Sequence, residues 1–140
     1  MSRLAQALRV FLVEDTVNMQ VALTDLVRSV ADSQVVSVVP SEALAVEWAN
    51  THRDGWDLAI VDLFLKQGSG IHLAQAIKRA RPTQKIVVFS NYINASVRKR
   101  CAQMGVDAVF DKSTEIDSLV DYCAHQCFRI AQAAQAAAAA

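Results

Sequence analysis

The sequence predicts an α/β fold: a five-stranded parallel sheet covered by helices on both faces. Three observations predict it. Short apolar, β-branched runs alternate five times with segments whose apolar residues recur at helical spacing. The run LAIVDLFL at 58–65 is apolar on both faces except at Asp62, as a central parallel strand requires. Turn and break signals, including Pro40, Asp54-Gly55, Gly68 and Gly105, fall between these segments.

In order, the first strand is LRVFLV at 8–13, which stops at the acidic pair Glu14-Asp15. Thr16 is placed to cap a helix whose apolar positions are Met19, Leu23, Leu26, Val27 and Val30. VVSVV at 35–39 is a β-branched strand ended by Pro40, and Ser41 with Glu42 opens a helix to about His52. The third strand lies in 57–65. Ser69 caps a helix over 71–80, which Arg81-Pro82 ends. KIVVF at 85–89 is the fourth strand and ends at Ser90. A helix over 94–104 is closed by Gly105. The fifth strand spans 106–111, Lys112 follows it, and a last amphipathic helix runs from Thr114 to about Ala131. Beyond it the chain is almost wholly alanine and glutamine, a stretch that either extends this helix, frays or is a cloning remnant.

Length and composition narrow the function. The chain has 140 residues, enough for one domain with a core that needs no disulfide or structural metal. Its 14 basic and 14 acidic residues cancel, and a domain without basic excess is a poor nucleic-acid binder. The Arg98-Lys99-Arg100 cluster reads as a solvated helix face. Three cysteines, Cys101, Cys123 and Cys127, suggest a reducing compartment, and they have no second ligand pair to make a metal site. No apolar run is long enough to span a membrane, and the run after Arg9 is too short for a secretory signal. A cytoplasmic protein without membrane contact is expected.

Polar residues collect at the ends of the apolar strands. Glu14 and Asp15 follow the first, Asp62 lies in the third, Ser90 ends the fourth and Lys112 follows the fifth. Ligands of open parallel sheets bind beyond the carboxyl ends of the strands, so these groups share one rim. Three carboxylates together repel unless a cation joins them, and hard oxygen donors suit Mg²⁺. A lysine brings a point charge to phosphate oxygens, and a serine hydroxyl brings a donor. A carboxylate beside a metal can take a phosphoryl group, a transfer governed by positioning and charge neutralisation. Singly, the residues have plainer readings. Asp15 reads equally as a cap beside Thr16, Glu14 as solvated charge, Ser90 as a strand-end cap, and Asp111 with Lys112 as a surface pair worth little. Asp62 resists such a reading, because a lone carboxylate inside an apolar run is costly unless it faces a cation or the rim.

In order and spacing, FLVEDT (11–16), IVDLFLKQGSG (60–70), VVFSN (87–91) and GVDAVFDKS (105–113) together resemble the receiver domain of two-component response regulators, over roughly 8–131. The resemblance implies a flavodoxin-like (βα)5 sheet of order 2-1-3-4-5, with residues 1–131 as receiver domain and 132–140 as a tail without its own fold. It makes Asp62 the phospho-acceptor of a domain that catalyses its own phosphorylation and dephosphorylation with Mg²⁺. Asp15 becomes the principal metal carboxylate, joined by Glu14, Asp62 and the backbone carbonyl of Phe64. Ser90 becomes the switch hydroxyl, and Lys112 pairs with the phosphoryl group. The implied donor is a sensor histidine kinase or a phosphotransfer protein. The implied output is protein contact through the helix 4–strand 5–helix 5 face, to a partner or a second copy. The chain is then either a stand-alone receiver or a piece of a longer regulator.

Several positions depart from that family's pattern. Val109 stands where a swinging Tyr or Phe is usual, which puts the serine–aromatic coupling in question and leaves Phe110 and Tyr92 as substitutes. Ser113 replaces a proline that follows the lysine in a cis bond, so that bond is expected to be trans or strained. Asn91 narrows access to the rim, and Phe64 and Tyr92 bring two rings to positions that tune hydrolysis. Lys66 replaces a common proline, with little effect expected on the chemistry. Val109, Ser113 and Asn91 favour the alternative of a degenerate receiver, a phosphorylation-independent interaction module, and the complete acidic set with Ser90 and Lys112 argues against it. An aspartyl-phosphate phosphatase is disfavoured by Phe64, which stands where that class has a second aspartate. A dinucleotide enzyme is disfavoured by Glu-Asp-Thr, which stands where it has a glycine-rich turn.

Overall fold

Alternate residues of strand β1 (Leu8–Val13) serve two different cores. Leu8, Val10 and Leu12 pack against Leu23 and Val27 of α1 (Val17–Ser29) and against Leu119 and Cys123 of α5 (Ile116–Ala139). Phe11 and Val13 face the other way, onto Ala45 of α2 (Glu42–Thr51) and Leu73, Ala74 and Ile77 of α3 (Gly70–Ala80). A third cluster sets Cys101 of α4 (Ala95–Gln103) beside Leu63 and Val88. The period-2 alternation of a strand thus puts α1 and α5 on one face and α2, α3 and α4 on the other. The computed structural model describes residues 7–139.

The remaining strands are β2 (Ser33–Val39), β3 (Leu58–Val61), β4 (Lys85–Ser90) and β5 (Ala108–Asp111). All pairings are parallel and the order is β2-β1-β3-β4-β5, so the expected fold class and strand order are those found. The β1–β2 register shifts between Val10 and Phe11. Among the described residues no helix is long and apolar enough to cross a membrane.

Three strand boundaries differ from expectation, each for a tertiary reason. The third strand ends at Val61, so Asp62 lies one residue beyond it and Leu63 to Leu65 belong to the following loop. The neighbouring ladders stop there, at Val13↔Val61 and Val61↔Val88. The fifth strand begins at Ala108, because the Val106 N–H donates to Cys101 O (3.0 Å) and the Gly105 N–H to Ala102 O (3.1 Å). That pattern closes α4 around Gly105, whose φ of +82° suits glycine. The second strand begins at Ser33, which pairs with Leu8. The last helix continues through the alanine-rich stretch to Ala139, since alanine has the strongest intrinsic helix preference and nothing there breaks the helix. Residues 1–6 and Ala140 lie outside the described residues.

Cys101 and Cys123 are buried, and burial pushes the Cys123 thiol up to about 12, with a smaller contribution from Cys127. These thiols act as core residues.

Gly70 is required by close approach. Its N–H donates to Leu63 O (3.2 Å), and a Cβ there would run into the carbonyl oxygen of Asp62 and come to 2.7 Å from Leu63 Cα. Both obstacles are backbone and cannot rotate away. Gly70→Ala is expected to cost about 3 kcal/mol or more in urea denaturation, at the upper end of overpacking effects. A loss under about 1 kcal/mol would show that the loop yields without strain.

Candidate functional site

The rim is built where four strands end. The Glu14 N–H continues the ladder to Val39 O (3.0 Å) and the Asp62 N–H to Val13 O (3.0 Å), so both side chains leave the sheet at its last rung. Ser90 is the final residue of β4, and the Lys112 N–H donates to its carbonyl (3.0 Å). Glu14, Asp15 and Asp62 each offer a carboxylate oxygen within 4.8 Å of the others. All the side chains expected at the rim are therefore together.

Lys112 lies between two of the carboxylates. Its ammonium donates to Glu14 Oε1 (2.5 Å) and to Asp62 Oδ2 (2.9 Å), with only 8% of the side chain exposed. Burial lowers the Lys112 pKa, but the hydrogen bonds to Glu14 and Asp62 outweigh it, and the net shift is upward. The other oxygen of Asp62 accepts from Ser90 Oγ (2.6 Å) and from the Phe64 N–H (3.2 Å). Ser90 is fully buried, so its hydroxyl has Asp62 as a built-in partner.

Sequence reasoning missed two participants. Thr16 begins α1, but its hydroxyl does not cap that helix. Instead Thr16 Oγ1 donates to Asp15 Oδ1 (3.3 Å) and the Thr16 N–H to Glu14 Oε2 (3.0 Å). Lys66 also enters the site, through its backbone. Its backbone N–H donates to Asp15 Oδ2 at 2.5 Å. Burial pulls the Asp15 pKa up, but the Lys66 amide, with smaller help from Glu14 and Thr16, holds it below the usual value. Backbone donors leave no mark in a sequence, apart from the absence of proline at 66.

Three carboxylates against one ammonium leave two negative charges, a balance that a divalent cation meets. The donors are hard oxygens, so the set fits such an ion. An open cleft of about 400 Å³ lies over the group, lined by Asp15, Asp62, Phe64, Tyr92 and Lys112 among others. Phe64 and Tyr92 are exposed in its walls. Tyr92 has a φ of +59°, a left-handed conformation that costs a non-glycine residue about 1–2 kcal/mol.

The departures at 109–113 also take shape. Val109 packs with Leu63 and Cys101, while Phe110 points to the other face and meets Tyr122 edge-on, with ring centroids 5.9 Å apart. Phe110 is therefore turned away from the rim. No cis peptide bond occurs among the described residues, so Lys112–Ser113 is trans. Arg98, Lys99 and Arg100 are exposed, as expected of a solvated face, and Arg98 makes further contacts. It donates to Val109 O (2.9 Å) and pairs with Glu115, which also accepts from the Asp111 N–H (3.0 Å).

Fold and rim together define a class, the parallel α/β domains whose chemistry sits beyond the carboxyl ends of central strands. Within it the match is specific. Residues 10–124 match the family model of the response regulator receiver domain, and the chain belongs to that family. The response regulator protein VraR of Staphylococcus saprophyticus is 24% identical over 114 residues, 81% of this chain and 54% of that protein. VraR of Staphylococcus aureus matches to the same extent. The chain thus spans about half the length of the curated relatives it matches. Among solved structures, the receiver domain of a putative LuxO repressor protein from Vibrio parahaemolyticus has a TM-score of 0.77 at 19% identity, covering 93% of this chain and 97% of that one. A LuxR-family two-component response regulator from Aurantimonas has a TM-score of 0.76 at 20% identity, covering 90% and 94%.

Proposed function

We propose that Asp62 accepts a phosphoryl group from a histidine kinase or a phosphotransfer protein, with Mg²⁺ held by Asp15, Glu14, Asp62 and the carbonyl of Phe64. The observation that carries this reading is the double tether of Asp62. One oxygen is held by Ser90 and the other by Lys112, at the base of an open cleft. An Asp62 oxygen attacks phosphorus, and the P–N bond of the donor's phosphohistidine breaks as the imidazole leaves. Mg²⁺ held by these residues would supply neutralisation of phosphoryl charge. Lys112, already against Asp62, adds a point charge, and the Ser90 hydroxyl turns from Asp62 to a phosphoryl oxygen.

For these residues the inferred output is protein contact through α4, β5 and α5, the face that Arg98 ties together. The partner is another protein or a second copy of the chain. The test is intact mass after incubation with acetyl phosphate, in which a P–O bond breaks and acetate leaves. A gain of one phosphoryl group with Mg²⁺ and none without it is expected. No gain in a folded sample selects the second reading, a phosphorylation-independent module. That reading is favoured by Val109, which has no ring to couple to Ser90.

Phe64 and Tyr92 line the cleft that holds Asp62, through which a water would have to reach the acyl phosphate. Replacing both with small polar residues is expected to speed loss of the phosphoryl group by on the order of tenfold, ~1.4 kcal/mol of barrier. Time-resolved intact mass checks it, and an unchanged or slower rate would remove the rings from the account.

A further inference from the structure

We propose that the cleft at the amino end of the sheet, under the second half of α5, binds a small organic acid, with its oxyanion head on Arg129, Lys85 and Gln126 and its apolar body against Leu8 and Ile130. The site lies at the opposite end of the strands from Asp62 and does not depend on the phosphoryl reading.

The cleft forms where β1 begins at Leu8, β4 begins at Lys85 and Asp57 precedes β3. Gln126, Arg129, Ile130 and Ala133 close it from α5, at the three- and four-residue spacing that puts them on one helix face. Its volume is about 350 Å³, within the range of small-ligand sites.

Its charge is unbalanced toward the positive. Asp57 is the one carboxylate in its wall, and both oxygens are spent on Arg9. Oδ2 accepts from the Arg9 N–H (2.8 Å) and Nε (3.1 Å), and Oδ1 from Nη2 (3.0 Å). Lys85 reaches Asp107 Oδ1 only at 3.8 Å. The other oxygen of Asp107 is held at 2.8 Å by Lys78 Nζ and at 2.8 Å by the Ile86 N–H, so one carboxylate serves two lysines. Arg129 is exposed, and among the described residues it pairs with no carboxylate.

Gln126 points to a ligand independently. Only 6% of this polar residue is exposed, in the wall of the cleft. Its Oε1 accepts from Arg129 Nη1 (3.4 Å), which orients the amide, and its Nε2 meets no acceptor among the described residues. Buried polar groups are normally paired, and an oxyanion in the cleft would be the acceptor. Guanidinium, ammonium and amide are then three donors to one head group, and hydrogen bonds to an ionised acceptor are the strong ones. Leu8 and Ile130 supply apolar wall beside them, which a bare inorganic anion would leave uncovered. The bound acid would join α5 to the starts of β1 and β4.

The experiment is a nuclear magnetic resonance titration of the full chain, without Mg²⁺, with hexanoate, hexyl phosphate, acetate and hexylammonium. Hexanoate or hexyl phosphate is expected to shift the Gln126 side-chain amide and the backbone amides of 126–133 saturably, and the tighter of the two identifies the head group. Acetate, which lacks the apolar body, is expected to bind about tenfold more weakly than hexanoate or worse. Hexylammonium is expected to shift none of these signals. Arg129→Gln and Lys85→Gln should each weaken the tighter acid about tenfold, the loss of one charged hydrogen bond. No saturable shift with either acid, equal binding of acetate and hexanoate, the same shifts with hexylammonium, or unchanged affinity in either variant overturns the inference. If a variant does not fold, the comparison of acid with ammonium on the wild type decides alone.

Discussion

Asp62→Asn is expected to yield no phosphorylated protein under conditions in which the wild type gains one phosphoryl group per chain. The amide has no anionic oxygen to attack phosphorus, and no neighbour can substitute without rebuilding the rim. Asp15 is held by Lys66 and Thr16, and Glu14 by Lys112 and Thr16, so neither has the Ser90–Lys112 pair that flanks Asp62. The fold should survive. The amide oxygen still accepts from Ser90 and from the Phe64 N–H, and Lys112 keeps Glu14. Intact mass with acetyl phosphate and Mg²⁺ reads the chemistry, and a thermal melt reads the fold. A phosphorylated Asp62→Asn protein would move the acceptor to another carboxylate and end the proposed assignment.

Lys112→Met carries the second large effect, on stability as well as on phosphorylation. The side chains of Glu14 and Asp62 are 1% and 9% exposed, and Lys112 is the cation in contact with both. Removing it leaves two buried carboxylates facing each other, which costs about 3–5 kcal/mol at neutral pH. Millimolar Mg²⁺ or acidification should restore part of the loss, because either removes the repulsion. Urea denaturation across pH, with and without Mg²⁺, checks this.

The wild type has its own alkaline limit. The folded-state pKa of Lys112 is raised, so its stabilisation is fully present below the ordinary lysine value of about 10.4. It is lost only as pH rises through the higher folded value. A decline in stability that sets in between neutral pH and about 10.4 would have a cause other than Lys112. A Lys112→Met protein as stable as the wild type would show that the two carboxylates are relieved by something other than this ion pair.

The positions of Glu14, Asp15, Asp62, Ser90 and Lys112 on one rim were legible because strand periodicity and turn punctuation are local. Once five parallel strands are recognised, the residues at their carboxyl ends must converge. The apolar run at 58–65 misled on one point, because Leu63 is buried by α4 packing and not by a ladder. Apolarity reports burial and does not say which kind. The charged cluster on α4 is exposed, as a solvated face requires, and only the further contacts of Arg98, with a carbonyl on β5 and a carboxylate that opens α5, were not legible.

By itself, the sequence determined the fold class, the strand order through the family it resembles, and the set of polar side chains at the rim. The tertiary structure alone decided how they are wired: Lys112 shared by Glu14 and Asp62, Thr16 turned from its helix to the carboxylates, Phe110 turned away, and the Lys66 amide on Asp15. The reason is physical. Side-chain type and spacing are written in the residues, but an N–H is carried by every residue except proline. Which acceptor it meets depends on where the folded loop brings it.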